Sequence, residues 1–170
     1  MSVFLKEVFS ENFDLAFQKL LEFEGEYSNN PADFGGETKF GISKKVYKNL
    51  DIKNLSIDDA KKIYWNDYWL KYRCDEIVSS KISSKFFDLI VNVGFGNAST
   101  ILQRALIANL KKIEIDAIVG TKTIKLVNDT NSENLITAMR SETAAYYRIL
   151  ILKNPKLKIF ENGWLRRAYS

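Results

Sequence analysis

The chain has 170 residues, 46% of them hydrophobic and 27% charged, with a formal net charge of +4. That length suits one domain able to bury about two-thirds of the surface its unfolded chain exposes, without a covalent staple. With no histidine and a single cysteine, Cys74, the usual zinc sites, the Ser-His-Asp and Cys-His triads and an intramolecular disulfide framework are excluded; catalysis would rest on carboxylates, with no metal or cofactor.

In chain order, Met1 to Glu7 lack the apolar core and small-residue cleavage site of a signal peptide, and no later stretch is apolar for about 18 residues. The expectation is a chain made in the cytoplasm, with no membrane insertion. Apolar residues Phe13, Ala16, Phe17, Leu20 and Leu21 then recur at the spacing of one helix face. Position 24 is the next place on that face, and Glu24 occupies it. Held against apolar neighbours, its carboxyl would keep its proton to a higher pH and could protonate a leaving oxygen; the alternative is a helix-ending glutamate pointing into solvent. Glu22 falls on the opposite face and is solvated.

The stretch from Gly25 to Gly41 holds half of the chain's 8 glycines and one of its 2 prolines, which marks a shaped loop. After it nearly every segment has helical periodicity, so the fold class is all-α. Ser43 is positioned to cap a short helix through Leu50. Ser56 to Asp59 has a capping-box layout before a helix carrying Tyr64, Trp65, Tyr68 and Trp69. Further helices are predicted over Ser84 to Val93, ended by Gly94-Phe95-Gly96-Asn97, and over Ala98 to Leu110. A turn at Asp116 to Gly120 precedes a short helix with Thr121 as its cap. The longest helix opens at Ser132 and stops at Asn154-Pro155. The tail, with Phe160, Trp164 and Leu165, is apolar enough to pack back on the body. The paired basic residues Lys44-Lys45, Lys61-Lys62, Lys111-Lys112 and Arg166-Arg167 favour polyanions in general and select none.

Glu24-Gly25-Glu26-Tyr27, followed by Asn30-Pro31-Ala32-Asp33-Phe34-Gly35-Gly36-Glu37-Thr38-Lys39-Phe40-Gly41-Ile42, resembles the signature of glycoside hydrolase family 108, which runs E-G-G-Y, N-D-P, then D-P-G-G-x-T-x-x-G-I. Ala60 to Trp69 is similar to the family's A-x-x-I-Y-x-x-x-Y-W helix, and Phe87 to Gly94 to its F-D-x-x-V-N-x-G stretch. Leu102-Gln103-Arg104-Ala105-Leu106 and Asp116 to Thr123 resemble the peptidoglycan-binding segment that follows, of form L-Q-x-A-L and D-G-x-I-G-P-x-T. Gly163-Trp164-Leu165-Arg166-Arg167 is similar to a G-W-x-x-R ending. The blocks cover residues 12 to 168 in order. Glu26 stands where the second glycine is expected, placing a like charge near Glu24 that would push its pKa further up. Ala117 and Thr121 replace a glycine and a proline.

The resemblance implies a lysozyme-like, two-lobed helical fold, with residues 1–96 the catalytic part and 97–170 a helical peptidoglycan-binding part packed into one globular unit. It implies an N-acetylmuramidase, often encoded by phage or prophage, that cleaves the β-1,4 bond between N-acetylmuramic acid and N-acetylglucosamine, with Glu24 as general acid. Asp33 matches the aspartate of the glycine loop and is the candidate second carboxylate; its other reading is an Asx-turn. Thr38 could hold the attacking water or bond a loop amide. Glu37 and Asp88 are weaker candidates, Asp88 having a lysine pair as its alternative. Tyr27, Tyr64, Trp69 and Asn92 are candidates for the wall of a glycan cleft, or for core packing. Three other readings stay open: a lytic transglycosylase, a non-catalytic wall-binding module and a basic nucleic-acid binder, the last disfavoured because the positive residues are scattered. Bacterial peptidoglycan is the expected partner of a monomer that reaches the wall after release or secretion and binds no nucleic acid.

Overall fold

The computed structural model describes residues 9–23, 27–29 and 36–170. The first helix, α1 (Glu11–Leu21), starts where the Ser10 hydroxyl accepts from the Phe13 amide at 3.4 Å. Its stripe of Phe13, Ala16, Phe17 and Leu20 is buried. Phe13 sits at the centre of an aromatic cluster, 5.0 Å from the Trp65 ring, 5.4 Å from Trp69 and 5.9 Å from Phe87. Edge-on contacts of this kind add to the burial of the rings themselves.

Two short strands follow, β1 (Thr38–Lys39) and β2 (Ile42–Ser43), paired antiparallel with Thr38 opposite Ser43. The helix expected from Ser43 to Leu50 does not form. Ser43 is committed to the hairpin, and the residues after it make turns that use its carbonyl, which accepts from Val46 and Tyr47. Val46 is 66% exposed, so the segment lacks the buried face that would stabilise so short a helix.

Helix α2 (Ile57–Tyr64) opens as its sequence requires: the Ser56 hydroxyl accepts from the Asp59 amide at 3.1 Å and donates to the Asp59 carboxylate at 2.6 Å. It runs on as a π-helical turn over Trp65–Leu70. A short 3-10 turn at Cys74–Glu76 leads to α3 (Ser80–Val93), which packs against α1, α4 and α6. This helix begins four residues before its predicted start, because Ser83 and Ser84 are buried beneath its neighbours while reading as polar in the sequence. Gly94, with φ of +81°, turns α3 into α4 (Phe95–Ala108). The expected linker is thus helical from Phe95, whose ring stacks on Tyr72 at 4.3 Å.

In α5 (Thr121–Asn128) the cap position is Gly120; Thr121 is the first helical residue and does not cap. Helix α6 (Ser132–Lys153) is capped by Asn131, whose side chain accepts from the amides of Glu133 and Asn134, and ends at Asn154-Pro155. A 3-10 turn (Pro155–Phe160) returns the chain, and α7 (Glu161–Tyr169) packs on α6, with Trp164 stacked on Tyr147 at 5.1 Å. One buried cluster runs from Phe13 to Met139 through α1, α3, α4, α5 and α6. Among the described residues no helix is long and apolar enough to cross a membrane.

Candidate active site

The β hairpin is the local scaffold of the glycine-rich loop. Its central residues Phe40 and Gly41 have φ of +51° and +78°, the positive values that a two-residue hairpin matching strand twist requires. Glycine meets this at no steric cost. Phe40 does not, and its carbonyl is held by the Tyr64 hydroxyl, which donates at 2.9 Å. On the other side Ser28 bridges Thr38, each amide donating to the other's carbonyl at 2.8 Å. The two ends of the loop are therefore closed on one another, and the Tyr27 hydroxyl adds a 2.9 Å bond to the Glu37 carboxylate. That acceptor pushes the Tyr27 phenol up from its ordinary range.

A second cluster lies at the end of α1, beside a cavity whose described lining includes no residue of the hairpin. Phe23 keeps its amide on the Leu20 carbonyl at 3.0 Å, and its ring carries the Arg167 guanidinium 5.2 Å from the centroid. Arg167 reaches there from α7 while its Nε donates to Asp88 Oδ1 of α3 at 2.9 Å and its Nη2 is ion-paired with the same oxygen at 2.8 Å. Lys85, one turn before Asp88, is 5% exposed and donates to the Arg167 carbonyl at 2.6 Å. Burial, helped by Arg140 and Arg167 and opposed by Asp88, pushes the Lys85 ammonium down to about 8. A cavity of about 330 Å³ opens here, beside Leu20, Phe23, Lys85, Asp88 and Arg140. Its size is that of a small ligand pocket.

Glu24, Asp33 and Glu26 lie outside the described residues. Thr38 is in β1, its hydroxyl donating to the Gly36 carbonyl at 3.1 Å; the partner is a loop carbonyl, where the sequence had suggested an amide. Tyr27 is 40% exposed at the mouth of the loop. Tyr64 and Trp69 require correction: at 1% and 0% exposure neither ring offers a face to a sugar. Their apolar bodies fill the aromatic core, and their polar ends are taken inward, Tyr64 by Phe40 and Trp69 by Asp75 at 3.1 Å. Asn92 is exposed, with its Oδ1 accepting from the Tyr147 hydroxyl at 2.6 Å. Asp88 pairs with an arginine 79 residues away, where the sequence had suggested a lysine.

Residues 17–94 match the family model described as glycosyl hydrolase 108, and residues 97–169 match a predicted peptidoglycan domain. Over residues 17–94 the chain is similar to glycoside hydrolase family 108. The protein is accordingly a glycoside hydrolase that acts on peptidoglycan. The structure of Brucella abortus SagA is similar at a TM-score of 0.72, with 24% identity, over 92% of this chain and 88% of that one. At that identity the likeness is one of fold, and it bears out the all-α, lysozyme-like architecture. No curated protein sequence matches the chain.

The sequence reading of this hydrolase placed Arg167 in a basic pair and in the G-W-x-x-R ending, without a role in the site. A signal was present: Lys85 and Asp88, one turn apart and of opposite sign, flank Phe86 and Phe87 in the most apolar part of α3. Buried charges need partners, but only the folded chain shows that the partner comes from the tail. In the peptidoglycan half, Gln103 plays a comparable part. From α4, at 1% exposure, it donates to Asp116 Oδ1 at 2.6 Å and to the Ile118 carbonyl at 3.1 Å, and accepts from the Ala117 amide at 3.0 Å. The most recognisable polar residues of that block are thus spent on shaping the turn.

Proposed function

We propose that this hydrolase is an N-acetylmuramidase of the endolysin type, cleaving the β-1,4 bond between N-acetylmuramic acid and N-acetylglucosamine with Glu24 as general acid. The observation that carries the reading is the α1 stripe. Phe13, Ala16, Phe17 and Leu20 are all buried, as the sequence stripe requires, and Phe23, the residue joined to Glu24, lines the cavity. An acid so placed would be shielded from bulk water, which disfavours its ionised form. Asp33 or a water held by Thr38 supplies the second group. The Thr38 hydroxyl donates to Gly36, which leaves its oxygen available to accept from a water. The enzyme is made in the cytoplasm and meets the wall after release or secretion.

Digestion of purified peptidoglycan, with the new sugar ends identified by mass spectrometry, tests this. Reducing muramic acid ends are expected, and Glu24→Gln should lower the rate of their appearance by about 10²–10⁴-fold, the usual contribution of a positioned acid. Anhydro ends would reassign the enzyme to transglycosylation. Full activity in Glu24→Gln would remove the glutamate from the mechanism.

A further inference from the structure

We infer that Arg167 is a positioning residue for the catalytic acid, and that the C-terminal helix thereby completes the glycosidase half of the molecule. This deepens the assignment of Glu24 as the acid, and rests on it.

A single guanidinium performs two tasks at once. Its Nε donates to Asp88 Oδ1 at 2.9 Å and its Nη2 is ion-paired with the same oxygen at 2.8 Å, while its central carbon lies over the Phe23 ring, 5.2 Å from the centroid. Only a planar, rigid fork can do both; an ammonium could make one contact or the other. Arg167 is itself held from behind, its carbonyl accepting from Lys85 at 2.6 Å and from the Ser170 hydroxyl at 2.8 Å. The Arg167 side chain is 10% exposed and that of Asp88 15%, so the pair differs from the screened surface ion pairs that contribute little. Phe23 lies two residues beyond α1, past the regular helical ladder, with its amide held by one turn bond to the Leu20 carbonyl at 3.0 Å. The peptide bond of Phe23 carries Glu24. A clamp on that ring, assembled from α3 and α7, therefore constrains the residue from which the acid begins.

The experiment compares full-length wild type, Arg167→Met, Arg167→Lys, Phe23→Leu and Glu24→Gln on soluble glycan-strand fragments, with folding checked by thermal melting. Because a misplacement of about 1 Å can cost on the order of 10²-fold, folded Arg167→Met should lose about 10–100-fold in kcat with KM little changed, and Arg167→Lys should recover part of the loss. If Arg167 acts through Phe23, the double variant Phe23→Leu/Arg167→Met should be no slower than Arg167→Met alone. An unchanged kcat in Arg167→Met, or losses that multiply in the double variant, would overturn the clamp while an inactive Glu24→Gln left the acid assignment standing. A fully active Glu24→Gln would overturn both. Should Arg167→Met fail to fold, Arg167→Lys, which keeps the charge facing Asp88, carries the same comparison: a kcat equal to wild type overturns the clamp.

Discussion

Ala117 shows what a single residue can disclose. The sequence places it where the resembled motif has glycine, and the structure gives it a φ of +60°. A side chain in the left-handed region costs roughly 1–2 kcal/mol. Here it is tolerated because Gln103 holds the Ala117 amide and the Asp116 carboxylate accepts from the Ile118 amide at 2.8 Å. Hydrogen bonding also draws the Asp116 carboxyl below its ordinary range. Ala117→Gly relieves the strain and gives back part of the gain through the greater freedom of glycine in the unfolded chain. The net expectation is a stabilisation of about 0.5–1 kcal/mol, read as a higher denaturation midpoint in urea with the slope unchanged. A lower midpoint would show that the turn depends on the methyl group for packing.

At the level of elements, periodicity made the helices legible and hid the exceptions to it. Ala60 and Tyr64 are four residues apart, and Trp69 follows after five; all three are buried. A regular α-helix cannot carry that spacing on one face, but a π-helical turn absorbs one extra residue. The interval of five was visible beforehand, yet with Trp65 and Tyr68 also present the aromatics fitted a cleft wall as well as a core. Likewise the loop from Gly25 to Gly41 was recognisable by its glycines, whereas the pairing of Ser28 with Thr38 depends on backbone geometry that composition does not encode. The correction at Trp69 has a direct consequence. Trp69→Ala removes a fully buried ring that contacts Phe13 and Phe87 at 5.4 and 5.5 Å, and should cost about 3–5 kcal/mol of stability. The folded fraction should still bind glycan fragments with wild-type affinity in calorimetry. A selective loss of affinity with stability retained would return Trp69 to the binding wall.

Across the whole molecule, the contacts that matter most were the least legible. Lys85 meets Arg167 across 82 residues and Asp88 meets it across 79, and no local pattern specifies partners so far apart. These contacts join the segment matching the hydrolase family to the segment matching the peptidoglycan domain, and the main core does the same. It includes Phe86, Phe87, Leu89 and Ile90 before the boundary and Ala98, Leu102, Leu106 and Met139 beyond it. Each large apolar side chain uncovered costs about 1.5–3 kcal/mol, so stripping α4 and α6 from three or four positions of α3 forfeits a sum comparable with the whole stability of a domain, about 5–15 kcal/mol. A chain ending at residue 96 should therefore lack a cooperative melting transition and the fixed aromatic signal of near-ultraviolet circular dichroism. The full-length protein should melt in one transition, with calorimetric and van't Hoff enthalpies in agreement. A cooperative melt of the 1–96 fragment would mean that the glycosidase half supports itself, and the peptidoglycan half would then be an appended module, not a structural part of the enzyme.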